Sequence, residues 1–147
     1  MSAVYNGRFR HGVDAKRRVQ VPSKWRPVEE GIEFTVIAWD KAAEGICLRV
    51  LPPEGLAKLL KAIDEIPNGD PSKVVLKRML GGNSEQVTLD KAGRLCLPEE
   101  MVQSAGIGQQ AVLVGLFDGF EIWSPDRYGK VVTSDAVVKP QAMGLVS

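Results

Sequence analysis

The sequence carries one nine-residue stretch twice, as DAKRRVQVP at positions 14–22 and as DKAGRLCLP at positions 90–98. The copies lie 76 residues apart, as their first residues, Asp14 and Asp90, show. Each copy has an aspartate, three intervening residues, an arginine and a short alternating apolar segment that a proline ends. This recurrence indicates one supersecondary unit that is used twice, with a basic turn displayed in the same way by each copy.

The chain around the two copies repeats one order of short elements. A helical turn is predicted at 22–26 and a short helix at 99–105, and Ser124-Pro125-Asp126 begins a last short helix. After about Val132 the periodicity is weak, which predicts a loose tail. Apolar alternation bounded by turn residues predicts strands at 4–13, 19–21, 34–39, 46–51, 84–89, 95–97, 111–117 and 120–123.

Two helices are predicted between the copies. Pro53 stands near the start of the first, and the Pro-Asn-Gly sequence at 67–69 ends it. Asp70 followed by Pro71 is typical of a helix start, and predicts a second helix over 73–80. The apolar residues of the first helix share one face, at Leu56, Leu59, Leu60, Ile63 and Ile66.

These elements predict a mainly β protein with short helices, of the α+β class, made of two pseudo-equivalent halves joined by a helical pair. The first repeat is expected over 1–52, the helical pair over 53–82, the second repeat over 83–128 and the loose tail over 129–147.

Charge is distributed unevenly although the formal net charge is only +1. Residues 8–26 contain one acid, Asp14, whereas acids outnumber bases over 29–70. Such asymmetry indicates a local polyanion-binding face, or oppositely charged surfaces that meet in an oligomer. The cations of the basic block are Arg8, Arg10, Lys16, Arg17, Arg18, Lys24 and Arg26.

Several classes of protein lack support in the sequence. Cys47 and Cys96 lie in strand-like runs without metal-ligand spacing, and we expect both to be reduced and to act as small hydrophobes. No apolar run reaches the length of a membrane span, and no signal peptide is evident, so a cytoplasmic protein is expected. A nucleophile elbow, phosphate loop, zinc motif and Rossmann fingerprint are missing, which argues against an enzyme and against a cofactor.

A turn that carries Lys and Arg between two strands presents cations at fixed spacing. Phosphates bind such groups, arginine can pair with guanine, and a two-stranded ribbon fits the major groove of DNA. The alternative is structural, since Asp and Arg can simply pair across a tight turn in which Gly93 takes a positive φ. Duplication and the basic flank favour DNA binding, with candidate residues Lys16, Arg17, Arg18, Lys91, Arg94, Arg8 and Arg10.

Other polar and aromatic residues have simpler explanations. His11 has no evident partner and is interpreted as a surface or structural residue. Trp25, Trp39 and Trp123 could stack on bases, but their places beside strand ends favour core or subunit packing.

The two turns, each followed by an alternating segment and a proline, resemble the MraZ family of AbrB-like swapped-hairpin DNA-binding proteins. The resemblance runs from about Tyr5 to Tyr128. Residues 115–124 resemble the second strand pair of the family, and residues 46–60 resemble its first-half strand, proline and helix.

The resemblance implies a duplicated AbrB-like swapped-hairpin β-barrel that assembles into a homo-oligomeric ring. It also implies repression of transcription through repeated elements of double-stranded DNA near promoters, and thus a place on the nucleoid. Lys16, Arg18, Lys91 and Arg94 match the basic residues with which the family contacts DNA. Asp14, Asp90 and Gly93 would shape the turns.

The first turn departs from this pattern at Arg17, where the family usually has a glycine, as this chain has at Gly93. An arginine does not take positive φ without cost. We therefore expect either a different backbone shape in the first turn or some strain there.

A competing hypothesis is a protein–protein interaction module, such as an antitoxin-like or scaffold protein. It rests on the acidic stretch and on the amphipathic helix from Leu56 to Ile66. That helix can also pack within its own subunit, which is the commoner arrangement.

Overall fold

The computed structural model describes residues 3–147, so residues 1 and 2 of the expected first repeat lie outside it. Single-turn 3₁₀ helices occur at Ser23–Trp25 and Ala42–Glu44. The strands are β1 (Arg8–Gly12), β2 (Arg18–Gln20), β3 (Glu33–Asp40), β4 (Ile46–Leu51), β5 (Ser84–Thr88), β6 (Arg94–Cys96), β7 (Gln110–Gly115) and β8 (Phe120–Trp123). The α-helices are α1 (Pro53–Asp64), α2 (Pro71–Gly81), α3 (Glu99–Ser104) and α4 (Pro125–Gly144).

The strands form a six-stranded antiparallel sheet in the order β1-β7-β8-β4-β3-β5 and a separate two-stranded ribbon, β2-β6. With four helices beside them, the predicted α+β class is confirmed. Within residues 3–147 the sheet does not close into a barrel, because its edge strands β1 and β5 do not pair with each other.

The two halves of the chain exchange strands reciprocally. Strand β1 of the first half pairs with β7 of the second, with Gly12 opposite Gln110. Strand β5 of the second half pairs with β3 of the first, with Thr88 opposite Glu33. At the centre, β4 and β8 pair directly across the boundary between the halves. Each half therefore completes its part of the sheet with a strand from the other.

The main hydrophobic core lies between the ribbon and one face of the sheet. Trp25 is fully buried there, and its indole Nε1 donates a hydrogen bond to the Asn6 carbonyl at 2.9 Å. Its ring packs edge-on against Phe9, with centroids 5.1 Å apart, and it lies 4.9 Å from Phe120. The ribbon contributes the inward side chains of both sequence copies, Val19, Val21, Leu95 and Leu97.

The opposite face of the sheet carries a smaller cluster of Cys47, Val112 and Trp123. Tyr128 and Val131 of α4 pack against it, whereas α1 and α2 contact β3. Trp25 and Trp123 are fully buried, as the packing interpretation expected, and Trp39 is partly buried. Both faces of the sheet are thus covered, one by the ribbon and the other by helices.

The expected loose tail after Val132 is wrong, because α4 continues to Gly144. The Ser124 hydroxyl caps the helix by accepting a hydrogen bond from the Arg127 amide at 3.2 Å, and Pro125 occupies the first helical position. No proline interrupts the helix before Pro140, and Pro140 itself lies within α4, so the helix propagates to Gly144. Weak amphipathicity misled the prediction, since the distal part of α4 is mostly exposed.

Ile63 of α1 is buried, whereas Leu60 of the same helix is 55% exposed. A cavity of about 620 Å³ lies between α1, α2 and the edge of the sheet. None of the helices within residues 3–147 combines the length and the apolarity that crossing a membrane would need.

Candidate nucleic-acid interface

The first repeated turn is organised by the carboxylate of Asp14. Its Oδ1 accepts hydrogen bonds from the backbone amides of Lys16 and Arg18, both at 2.9 Å. Its Oδ2 accepts from Arg18 Nε at 2.6 Å. Backbone bonds from Asp14 N to Arg18 O, at 3.1 Å, and from Arg17 N to Asp14 O, at 2.9 Å, close the turn. The aspartate therefore shapes the backbone and orients the arginine at the same time.

The second turn reproduces this arrangement. Asp90 Oδ1 accepts from the amides of Ala92 and Arg94, both at 2.9 Å, and Oδ2 accepts from Arg94 Nε at 2.9 Å. Asp90 N donates to Arg94 O at 2.9 Å, and Gly93 N donates to Asp90 O at 3.0 Å. The sequence repeat is therefore a structural repeat at the level of individual hydrogen bonds.

These contacts hold the pKa of both aspartates below the usual range. The largest cause is the hydrogen bond from the backbone amide of the arginine four residues on, Arg18 for Asp14 and Arg94 for Asp90. The hydrogen bond from that arginine's side chain also lowers the pKa, while desolvation opposes the shift. Both carboxylates are thus ionised near neutral pH and keep the turns in shape.

Arg17 and Gly93 occupy the same left-handed backbone region, with φ of 61° and 78°. Of the two expectations for the first turn, an altered backbone shape is therefore wrong and local strain is right. A side chain in this region costs roughly 1–2 kcal/mol, because its Cβ approaches the following carbonyl oxygen.

The two turns are parts of one surface. Strands β2 and β6 pair with Val19 opposite Leu95, so each turn continues one end of the ribbon. Gln20 Nε2 donates to Ala92 O at 2.8 Å, and at the pseudo-equivalent place Cys96 Sγ lies 3.4 Å from Lys16 O. We call residues 14–18 and 90–94 together the double turn.

The double turn also shares charge between the copies. Arg94 Nη1 lies 4.0 Å from Asp14 Oδ2, so one aspartate faces arginines from both turns. Lys16 and Lys91 are exposed, and the three arginines are partly exposed. Five cations therefore surround two aspartates, with Lys16, Arg17 and Arg18 from the first turn and Lys91 and Arg94 from the second. The sequence predicts one basic turn in each copy, and the structure joins the two turns on a single ribbon, β2-β6.

Arg8 and Arg10 lie on the other side of the sheet. Phe9 packs into the main core, so strand alternation turns its neighbours toward the opposite face. Arg8 Nη1 donates to the Tyr128 hydroxyl at 3.1 Å, on the face that α4 covers. The core thus separates both arginines from the double turn.

Two residues of this surface differ from expectation. Cys96 is exposed on the ribbon and is not a packed hydrophobe, whereas Cys47 is buried. Arg26 was not among the candidates, yet its Nε donates to Val21 O at 2.9 Å beside the second turn. A Cβ on Gly93 would collide with the Arg26 guanidinium. Only membership of the basic block pointed to Arg26, because the contact joins residues far apart in the sequence.

The chain has relatives across most of its length. A sequence model of a protein family, described as "MraZ protein, putative antitoxin-like", matches residues 79–140. A transcriptional regulator MraZ from Roseiflexus sp. (strain RS-1) is 31% identical over 132 residues, which cover 89% of this chain and 88% of that protein. Another, from Rhodospirillum rubrum, is 33% identical over 121 residues, covering 81% and 78%. One from Leuconostoc citreum is 29% identical over 125 residues, covering 85% and 84%.

An α+β chain with a basic double turn, related over most of its length to proteins named as transcriptional regulators, is itself a transcription regulator by class. More particularly, the chain belongs to the MraZ family, since relatives more than 30% identical extend over most of both sequences. This confirms the resemblance carried by the two turns. The family is one of regulators and not of enzymes.

Proposed function

We propose that this protein binds double-stranded DNA sequence-specifically through the double turn and represses transcription at repeated promoter elements. The observation that carries the proposal is the pairing of two aspartate-organised basic turns on one ribbon. Cations held at fixed spacing on a narrow ribbon suit both the phosphates and the base edges of the major groove.

The orientation of Arg18 and Arg94 supports base reading. Each Nε is bound by the aspartate of its own turn, which directs the guanidinium. The terminal nitrogens make no hydrogen bond among the described residues, and Arg94 Nη1 lies 4.0 Å from Asp14 Oδ2. A guanidinium held in this way can donate two parallel hydrogen bonds to guanine O6 and N7. Lys16 and Lys91, which are exposed, fit the less specific task of phosphate contact.

The strand exchange supports a duplicated AbrB-like swapped-hairpin origin for the fold. Each half receives an edge strand from the other, β1 onto β7 and β5 onto β3, as expected when two copies of one hairpin unit interlock within a chain. The swapped-hairpin arrangement is therefore proposed for the origin of the fold, whereas the sheet of this chain is open and forms no barrel among the described residues.

We further propose that copies of this chain assemble into a homo-oligomeric ring, and that the ring binds the nucleoid in the cytoplasm. The support for assembly is the apolar surface that α2 and α4 expose, at Val74, Val75, Met79, Val137 and Val138. Exposed apolar side chains on a helix surface are typical of association surfaces. Repetition of the double turn around a ring would match repeated DNA elements.

The test compares Arg18→Ala/Arg94→Ala with the parent protein in binding to duplexes selected from random DNA. We expect binding at moderate salt to be lost while the circular dichroism spectrum is retained. Arg8→Ala/Arg10→Ala, which also removes two positive charges but on the far face of the sheet, is the control and should bind like the parent. Parent-like binding by the double variant would refute the assignment of these arginines.

The second candidate is a protein–protein interaction module, favoured by the exposed apolar side chains of α2 and by the antitoxin-like description of the matching family. Co-purification of a stoichiometric protein partner, together with absence of any DNA shift at low salt, would support this module over DNA binding.

A further inference from the structure

We propose that Arg26 is a DNA-phosphate contact of the second turn and the counterpart there of Arg17 in the first. The inference rests on the proposed DNA-binding function and adds a residue from outside the repeated sequence to that surface. The inference is based on two hydrogen bonds that match each other at the two turns. Arg17 makes one and Arg26 makes the other, although these two residues are not counterparts in the sequence repeat.

At the first turn, both backbone polar groups of Leu97 are hydrogen-bonded to Arg17. Its amide donates to Arg17 O at 2.9 Å, and its carbonyl accepts from Arg17 Nε at 3.0 Å. Arg17 thus makes both bonds, one through its backbone and the other through its side chain.

At the second turn, both backbone polar groups of Val21 are hydrogen-bonded in the same way. Val21 lies 76 residues before Leu97 and is its counterpart in the repeat. The Val21 amide donates to Gly93 O at 3.0 Å, and its carbonyl accepts from Arg26 Nε at 2.9 Å. Gly93 has no side chain to supply the second bond, so Arg26 supplies it from the position directly after the 3₁₀ helix that follows β2.

Steric exclusion explains why only one guanidinium lies beside the left-handed residue of each turn. A Cβ at Gly93 would collide with the Arg26 guanidinium, so the glycine leaves the space that Arg26 fills. The residue equivalent to Arg26 in the second half is Val102, an apolar residue packed against the core. The space beside the first turn therefore receives no arginine from α3, and the side chain of Arg17 occupies it.

With Arg26 included, the two ends of the ribbon carry matching charge. The sequence alone gives the second turn fewer cations, but Arg26 brings it to three, as in the first turn. Both arginines are partly exposed, and Nε alone is used for the carbonyl bond, which leaves Nη1 and Nη2 as donors among the described residues. A planar fork of this kind matches the geometry of a phosphate.

The test measures how the logarithm of the DNA association constant depends on the logarithm of salt concentration. Each phosphate contact adds about 0.9 to the magnitude of this slope. We expect Arg26→Ala to reduce it by about that amount, and Arg17→Gly, which keeps the left-handed turn, to do the same. Lys24→Ala is the matched control, because Lys24 is a cation of the 3₁₀ helix that Arg26 follows, and its ammonium lies 5.4 Å from the Phe9 ring centroid.

A second variant, called the transplant, tests whether a lost phosphate contact can be restored by a guanidinium at another residue. Arg26→Ala/Gly93→Arg moves the guanidinium onto the turn residue, as in the first turn, and should restore the parent slope. If Arg26→Ala is too unstable to measure, Arg26→Gln takes its place, because it keeps an amide donor for Val21 O but removes the charge, and it should show the same reduced slope.

The outcomes separate this inference from the proposed function. If the parent binds DNA and Arg26→Ala keeps the parent slope, the inference is wrong while DNA binding stands. Weaker binding with an unchanged slope would also overturn the phosphate contact, because it would show a purely structural role. If the parent binds no duplex DNA at low salt, both proposals fall.

Discussion

Arg17 and Gly93 adopt the same left-handed backbone conformation at equivalent places in the two turns, although only one of them is a glycine. The reason lies in what surrounds them. The Arg17 side chain gains a hydrogen bond to Leu97 O, whereas Gly93 makes room for Arg26. The strain at Arg17 is thereby offset in part, since a net hydrogen bond contributes about 0.5–1.5 kcal/mol.

Gly93→Ala is expected to destabilise the protein by about 2 kcal/mol, which urea unfolding would measure. Part of this cost is left-handed strain, and part is the displaced Arg26 guanidinium with its bond to Val21 O. In an Arg26→Ala background the collision is absent, so the added cost should fall to about 1 kcal/mol. Gly69→Ala is the control, because a Cβ there meets nothing within 4 Å. Equal costs for Gly93→Ala in both backgrounds would contradict the steric explanation.

Local chemistry explains which elements could be predicted from the sequence. Asp70 accepts a hydrogen bond from the Ser72 amide at 2.9 Å and so begins α2 as its Asp-Pro sequence indicated. The role of Asp14 and Asp90 within the turns was equally predictable, because each bonds to amides only two and four residues away. The sequence left open the backbone shape at Arg17.

Contacts between distant residues explain what could not be predicted. The pairing of β1 with β7 and the joining of both turns on one ribbon depend on register between the halves. Arg8 belonged to the basic block by sequence, yet strand alternation places it beside Tyr128, away from the ribbon. Arg26 likewise reaches its place only through the fold. Charge clustering in a sequence therefore does not show which face of a sheet will carry the charge.

Acid should weaken the two turns through Asp14 and Asp90. Because the folded-state pKa of Asp14 and Asp90 is lowered, their contribution to stability is present above the unfolded-state pKa of about 4 and is lost as pH falls through the folded-state pKa. We expect Asp14→Asn/Asp90→Asn to be less stable than the parent at pH 7, with the difference shrinking toward pH 3. Urea unfolding at several pH values measures this. Asp64→Asn/Asp135→Asn removes the same number of acids elsewhere, and a matching pH dependence in that control would argue against a special role of the turns.

Glu121 is a buried carboxylate that joins the two halves on the helix-covered face of the sheet. It accepts hydrogen bonds from Trp123 Nε1 at 3.0 Å and from Arg49 Nη2 at 3.1 Å, and Arg49 stacks on Trp39 at 3.8 Å. Glu121→Gln leaves the partly buried guanidinium of Arg49 without its counter-ion, so we expect a loss of about 2–3 kcal/mol in unfolding free energy.

A double-mutant cycle with Arg49→Met tests whether the ion pair is the cause. The two substitutions should together cost clearly less than the sum of the single effects, because removing both partners leaves no unpaired charge. Strict additivity would show that Glu121 stabilises the protein independently of Arg49, through partners such as Trp123.

The two cysteines should differ sharply in reactivity. Burial is the main cause that raises the pKa of Cys47 to about 12, with the nearby charge of Glu121 adding to it, so its thiolate is scarce at neutral pH. Cys96 is exposed on the ribbon. Since the thiolate is the nucleophile, iodoacetamide at pH 7.5 should label the native protein once and the denatured protein twice, as intact mass spectrometry would show. Cys96→Ser should abolish native labelling, whereas Cys47→Ser should leave it unchanged. If Cys47 were labelled as fast as Cys96 in the folded protein, this would contradict the prediction. It would show that the sheet around Cys47, Val112 and Trp123 opens often enough to expose the buried thiol.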